Sequence, residues 1–484
     1  MPRPIPPTID PSDDLASFVD LDLNQVLAPY LQSRMQSPIV QPSVAAELQA
    51  RFPGAIPGDG LSLDEVLQEI GSVLLHYSRR NTHPGFFGYI APSGVPVDPL
   101  SHALVATLNQ NVVGYPGSPG AATIERTVIK WLIELIDYPE AADGVFIGGG
   151  SISNLTALAC ALTHRFGEGY RRRGLLACGN GASPVIICSR AAHLSIQRAA
   201  AILGIGTDQV VTVDVDEDFR MRPRDLIQAL EQADCPVCVV ASAGTTTTGA
   251  IDPLADIAEI CGDAGVWLHI DAAYGGGGLM SEELKPLYAG IERADSITMD
   301  LHKWFYNAVE SSVILYRDPG CARQLFYERS DYIHFPVDGP DEQHMFFHLS
   351  PELSRRFRAL PAYITFRHYG RERLGRNVLY NAQCAQYLAE LVEADPDLEL
   401  VAAPQLSICN FRYAPGELTE IRVDAINSEI RDRIEAKGNF LMSVTHIDAR
   451  PVLRVCIINH ATRAYHIEGL LAEIKRIGTE LLGN

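Results

Sequence analysis

The chain has 484 residues, 47% of them hydrophobic and 20% charged, and carries a formal net charge of −20 at pH 7. That length implies two or three structural units of ordinary globular composition. The charge argues against nucleic acid and anionic membrane surfaces as partners, since both need a basic face. No apolar run approaches the ~18 residues of a membrane-spanning helix. The start, MPRPIPPTIDPSDD, lacks the basic-then-apolar pattern of a signal peptide. The ten cysteines follow no disulfide rhythm, so a cytoplasmic protein with reduced, mostly core cysteines is expected. Cys235 and Cys238 form a lone C-x-x-C opening a strand-like run. With no second pair or His pair nearby, they read as strand cysteines, and no metal is expected.

In chain order, residues 1–92 are Pro-rich and then helical in pattern (LDEVLQEIGSVLLHYSRR), a candidate N-terminal helical arm. Residues 93–378 alternate helical stretches with short apolar runs: GVFIG (144–148), PVIICS (184–189), VVTV (210–213), VCVVAS (237–242), VWLHID (266–271), SITM (296–299) and SVILYR (312–317). These β-branched runs have the character of strands covered on both faces. Their alternation with helices predicts an α/β fold with a mostly parallel seven-stranded sheet. Residues 379–484 mix helices with the strand candidates SICNFRY and PVLRVCII, which predicts a small α+β domain.

Ligands of open α/β sheets collect at the carboxyl ends of the strands. After GVFIG come Gly149, Gly150 and Ser151, with Asn154 opening an apolar helix; this reads equally as a phosphate cradle or as a capped turn. After PVIICS comes His193. After VCVVAS comes a threonine run from Thr245 to Thr248, and after VWLHI comes Asp271 beside small residues. After SITM come Asp300, His302 and Lys303, with Trp304 next. A lysine between strands either snorkels to water or is a tuned nucleophile. An anion cradle, a group to stack on a ring, an acid and a lysine are together what pyridoxal 5'-phosphate needs.

The segments HPGFFGY (83–89), SPGAATIERTVIKWL (118–132), GGSISNLTAL (149–158), AHLSIQRAA (192–200), AGTTTTGAIDPL (243–254), WLHIDAAYGG (267–276), ADSITMDLHKW (294–304) and LSRRFRALPAYITFRHYG (353–370) carry a resemblance. Through them the chain resembles the group II pyridoxal-phosphate decarboxylases, typified by aromatic L-amino-acid decarboxylase, over about residues 60–470. The resemblance implies fold type I and a homodimer with shared active sites, clasped by the N-terminal segment. It implies Lys303 as the Schiff-base lysine, Asp271 as partner of the pyridine nitrogen, Ala273 against the ring and His193 stacked on its outer face. Gly150, Ser151, Asp300 and His302 would surround the phosphate, and Thr246 would lie near the ring or the substrate carboxylate. His83 opens the motif at the substrate entrance. Tyr332, in SDYIHF, would help protonate the substrate carbon.

Some positions depart from the aromatic-specific relatives. Asp300-Leu301 replaces a more usual Asn-Pro or Asp-Pro, and Ile90-Ala91 replaces an aromatic-proline pair, with Tyr89 and Tyr115 left to supply rings along with Phe86 and Phe87. The expected reaction is decarboxylation of an L-amino acid, most simply an aromatic one, to amine and carbon dioxide. The rivals are oxidative formation of an aldehyde, against which the retained Tyr332 speaks, an aminotransferase using Arg454, and an inactive homologue.

Overall fold

The computed structural model describes residues 30, 37–91, 93–178, 181–327 and 344–483. In chain order its strands are β1 (Phe86–Phe87), β2 (Asp143–Ile147), β3 (Val185–Ser189), β4 (Val210–Val213), β5 (Pro236–Ser242), β6 (Trp267–Asp271), β7 (Ser296–Asp300), β8 (Ser312–Tyr316), β9 (Leu398–Ala402), β10 (Ile408–Tyr413), β11 (Leu441–Ile447) and β12 (Arg450–Cys456). Among the described residues they form two sheets.

The large sheet has the order β2-β8-β7-β6-β5-β3-β4. All seven runs read as strands are in it. Every pairing is parallel except those of β8, which runs antiparallel to both neighbours, β2 and β7. Strands β3, β7 and β8 are buried at every position, the burial expected of β-branched runs covered by helices on both sides. Reversal of β8 has a local consequence: its first residue, Ser312, pairs with the last residue of β7, Asp300. A hydroxyl is thereby delivered to the same sheet edge as the carboxyl ends of the other strands.

The second sheet has the order β1-β11-β12-β10-β9, with β1 parallel to β11 and the remaining pairs antiparallel. The two tail strands anticipated from sequence are β10 and β12. Strands β9 and β11 were not anticipated, because LELVA and LMSVTHI mix polar with apolar residues and are only partly buried. Nor was β1 expected to belong here: Phe86 and Phe87 reach from the N-terminal region to the edge of the C-terminal sheet. The helix Ala359–Glu393 links the two cores and changes direction at Gly370, whose φ of 73° suits a residue without Cβ. Ala359 and Ala362 pack in the core of the large sheet, whereas Leu388 and Val392 pack in that of the small one. Among the described residues, no helix is long and apolar enough to cross a membrane.

Candidate active site

The carboxyl ends of β2, β3, β5, β6 and β7 open on one cavity of about 300 Å³. Gly149 and Gly150 form the turn after β2 and start the helix Gly150–Phe166. Gly149 has φ 146°, and a Cβ on Gly150 would stand 2.9 Å from an Asp300 carboxylate oxygen, so the turn needs both glycines. The N–H groups of Ile152 and Ser153 both close onto the Gly149 carbonyl. Those of Gly150 and Ser151 precede them, at the positive end of the helix dipole, and Ser151 adds an exposed hydroxyl on the cavity wall.

Asp271 ends β6. Its Oδ2 accepts from Asn154 Nδ2 at 2.8 Å and its Oδ1 from the Ala273 N–H at 3.1 Å. Asn154 also donates to Ser195 Oγ at 2.9 Å and accepts, through Oδ1, from His269 Nε2 at 3.0 Å. Because Oδ1 can only accept, His269 carries its proton on Nε2, and its Nδ1 accepts from Ser296 Oγ at 2.9 Å. Full burial pushes the His269 pKa down to about 4, so the ring is neutral.

This predicts an acid-side loss of stability. The unfolded chain takes up a proton on this ring from about pH 6.5 downward, while the native ring does not until about pH 4. Stability is therefore fully present above the unfolded value and falls as pH drops through that window. Between pH 7 and pH 5 the native protein should lose about 2 kcal/mol more than a His269→Gln variant. Urea denaturation of both at the two pH values measures it, and parallel losses would refute it.

His193 follows β3 and lines the cavity. Its Nδ1 lies 2.8 Å from Ser195 Oγ and 3.3 Å from the Ser195 N–H. A backbone N–H only donates, so Nδ1 is the acceptor and the neutral ring bears its proton on Nε2. Burial lowers its pKa and favours that neutral form. One continuous chain of hydrogen bonds thus runs Asp271–Asn154–Ser195–His193.

Lys303 lies one turn beyond β7, its N–H bonded to the Asp300 carbonyl at 3.0 Å. The turn is pinned by the rings that follow it. Trp304 is fully buried against Tyr274, with ring centroids 5.5 Å apart, and both Trp304 Nε1 and the Tyr306 hydroxyl donate to Asn381 Oδ1. The aromatics beside the lysine are anchors. Lys303 Nζ is 2.8 Å from Asp300 Oδ2, and Ser312 Oγ donates to Asp300 Oδ1 at 2.5 Å. Burial opposes charge on both partners. Their mutual attraction outweighs it, holding Lys303 above and Asp300 below the usual ranges. His302 Nε2 stands 3.8 Å from Asp300, and its Nδ1 2.9 Å from the Ser311 carbonyl oxygen.

Ala273 is buried and Thr246 exposed, and both line the cavity. His83, Tyr89, Ile90 and Tyr115 do not line it in this chain. His83 is buried, its Nδ1 accepting from the Gly85 N–H and its carbonyl from Asn459 Nδ2. Tyr89 is exposed with its hydroxyl accepting from Arg79 Nη1, while Ile90 and Tyr115 pack against the large core. Phe87 is buried in the core of the small sheet, and Phe86 in a separate cluster with Ile39 and Leu441. Arg454, on β12, is buried; its Nε donates to the Thr246 carbonyl at 2.8 Å and its Nη1 to the Tyr89 carbonyl at 3.0 Å, tying the Tyr89 segment to Thr246 on the cavity wall. Tyr332 lies outside the described residues.

Sequence reasoning missed Ser195, His269, Ser312 and the bridging role of Asn154. His269 alone had a local signal: it stands two residues before Asp271 in one strand, so both side chains project from the same face.

The sequence matches the Pyridoxal-dependent decarboxylase conserved domain over residues 46–414. It is 30% identical over 435 residues to the aromatic-L-amino-acid decarboxylase of Bacillus atrophaeus, covering 87% of this chain and 88% of that protein. It is 32% identical over 433 residues to the L-2,4-diaminobutyrate decarboxylase of Rhizobium meliloti, covering 88% and 84%. The crystal structure of mouse CSAD in apo form superposes with a TM-score of 0.89 at 27% identity, covering 97% of this chain and 99% of that one. The glycine cradle at a helix N-terminus, the buried-edge acid and the lysine fit the cofactor chemically. The chain belongs to the pyridoxal-dependent decarboxylase family, with its fold type I architecture, and is a pyridoxal 5'-phosphate-dependent amino-acid decarboxylase.

Proposed function

We propose that the enzyme decarboxylates an aromatic L-amino acid to its amine, with Lys303 holding the cofactor and Asp271 facing the cofactor's ring nitrogen. The observation that carries the assignment is that Lys303 Nζ and the Asp271 carboxylate, from the ends of adjacent strands, open on the same cavity with His193. When bound, the cofactor supplies an electron sink for the bond to carbon dioxide. The chain's residues supply position and charge. Gly150 and Ser151 would bind the phosphate with backbone N–H groups, with His302 beside them, and Ala273 and His193 would hold the ring. The Nε2 proton of His193, set by the Ser195 contacts at Nδ1, would be available to a substrate in the cavity. Thr246 orients the substrate carboxylate, and Arg454 positions it: Arg454 Nε donates to the Thr246 carbonyl and Nη1 to the Tyr89 carbonyl. Tyr89, Ile90, Tyr115 and His83 shape the approach to this wall, and Tyr332 completes protonation.

The aromatic assignment draws on the Bacillus atrophaeus relative. The diaminobutyrate relatives of similar identity make a cationic side chain the main competitor. A relative named phenylacetaldehyde synthase, 27% identical, makes an aldehyde product the other.

Borohydride reduction of the cofactor-loaded enzyme, followed by peptide mapping, should place the reduced label on Lys303; a label on another residue overturns the lysine assignment. Carbon dioxide release measured across the proteinogenic amino acids, dihydroxyphenylalanine and 2,4-diaminobutyrate should be fastest with an aromatic. A diamino acid as best substrate, or peroxide formed with the carbon dioxide, overturns the substrate or product assignment.

We also propose a homodimer. Leu63, Ile70 and Leu74 on one helix and Leu100, Leu104 and Leu108 on another are exposed at helical spacing, which leaves two apolar stripes toward solvent in the single chain.

A further inference from the structure

We propose that Asp300 is the resting partner of Lys303: whenever the amine is not bonded to the cofactor, Asp300 holds it as an ammonium, and that proton must be lost to water before the amine can react. This rests on Lys303 being the cofactor lysine.

The geometry is specific. Asp300 closes β7, and Lys303 follows three residues later in a turn bonded back to it, so the two side chains meet on one side of the turn at 2.8 Å. Ser312, brought opposite Asp300 by the antiparallel β8, fixes the other carboxylate oxygen. The carboxylate is buried, 2% exposed, and lies against Gly150 at the N-terminus of the phosphate-side helix. A buried carboxylate there, without a cation, would oppose an incoming phosphate as well as bear its own desolvation cost. Lys303 neutralises it.

The other groups facing Lys303 do not replace Asp300. Asp271 comes from the end of β6 and is bonded to Asn154 and Ala273. His193 comes from the loop after β3, held neutral by burial, and Cys456 comes from β12, its thiol pushed up to about 11 by burial. Of these, Asp300 is the one whose carboxylate is in contact with Nζ.

The chemical consequence is a gate on amine reactivity. Only a neutral amine forms a C=N bond with an aldehyde, releasing one water, so the ammonium proton has to leave first. In the proposed step Lys303 –NH₃⁺ gives its proton to water or hydroxide and becomes –NH₂, while Asp300 stays a carboxylate. The pair favours the ionic side, so the free amine is a small fraction at neutral pH and capture quickens with rising pH. A lysine buried without such a partner behaves in the opposite way, with its amine freed at lower pH than usual.

The test needs no turnover. Full-length cofactor-free protein, wild type and Asp300→Asn, is pulsed with trace acetic anhydride across pH 6–11, and acetylation of Lys303 and of the exposed Lys130 is read by mass spectrometry. In wild type, Lys303 should reach half-reactivity at a higher pH than Lys130; in Asp300→Asn its midpoint should fall by at least one pH unit. In parallel, capture of pyridoxal 5'-phosphate at pH 7.5 should be about tenfold faster in the variant, one pH unit being a tenfold change in free amine. Wild-type Lys303 titrating at or below Lys130, which can be read even if the variant does not fold, overturns the proposal, as does an unchanged midpoint in a folded variant. Acetylation reports the amine whether or not it carries the cofactor, whereas the borohydride map reports the carrier, so the two assignments fail separately.

Discussion

Replacing Asp271 with Asn should lower kcat by roughly 10²–10³-fold with little change in KM, the size of effect seen when one preorganised electrostatic partner is removed from a buried site. The substitution keeps the shape and removes the charge. It also breaks the local pattern. The native carboxylate accepts on both oxygens, from Asn154 Nδ2 and from the Ala273 N–H. An Asn there must turn its own NH₂ toward one of those two donors, and two donors cannot bond. Asn154 would then shift, and with it Ser195 and the Nδ1 side of His193. The expected result is therefore a fall in kcat with an altered cofactor absorption spectrum and a weaker pH response of the His193 ring. Stopped-time carbon dioxide release and absorbance titration measure these, and a kcat within threefold of wild type would remove Asp271 from the proposed mechanism.

The largest expected effect on stability lies elsewhere. Arg355→Met should cost about 3–5 kcal/mol in urea denaturation, because it strands a buried carboxylate. The Arg355 and Glu125 side chains have no solvent exposure and meet at 2.5 Å. Arg355 also donates to the carbonyls of Val112 and Phe146 at 2.5 and 2.7 Å, and its guanidinium lies 4.8 Å from the centroid of the Phe346 ring. Glu125 accepts from the Phe146 N–H at 3.1 Å, so the pair clamps β2 just before the glycine turn. Burial raises the Glu125 pKa and Arg355 opposes that, so without the arginine the carboxyl protonates and its N–H bond weakens. The double variant Glu125→Leu/Arg355→Met should recover much of the loss, since no charge is left in the core. If the double variant were as unstable as the single one, carbonyl bonding by Arg355 rather than the stranded charge would be the cause.

That pair shows where sequence reading stops. Glu125 and Arg355 stand in two separate motif segments, and their contact spans 230 positions. Nothing in either segment points to the other, and each residue alone reads as an ordinary surface charge on a helix or loop. The same holds for Ser312. It reached Asp300 only because β8 runs against its neighbours, and strand direction leaves no mark on the short run SVILY. Phe86 and Phe87 show the reverse error. As aromatic residues near a motif they read as pocket lining, yet strand pairing with β11 buried them away from the cavity.

The sequence by itself determined the elements and the chemistry they carry. Apolar β-branched runs alternating with helices produced the seven-stranded sheet, and the residue types at the strand ends named the cofactor class, because both signals are local and periodic. The tertiary structure alone decided the long-range partners: Asn154 for Asp271 and His269, and Arg355 for Glu125. Those choices depend on strand order, direction and burial, which bring together residues far apart in the chain and fix the hydrogen-bond polarity and charge that set each proton in place.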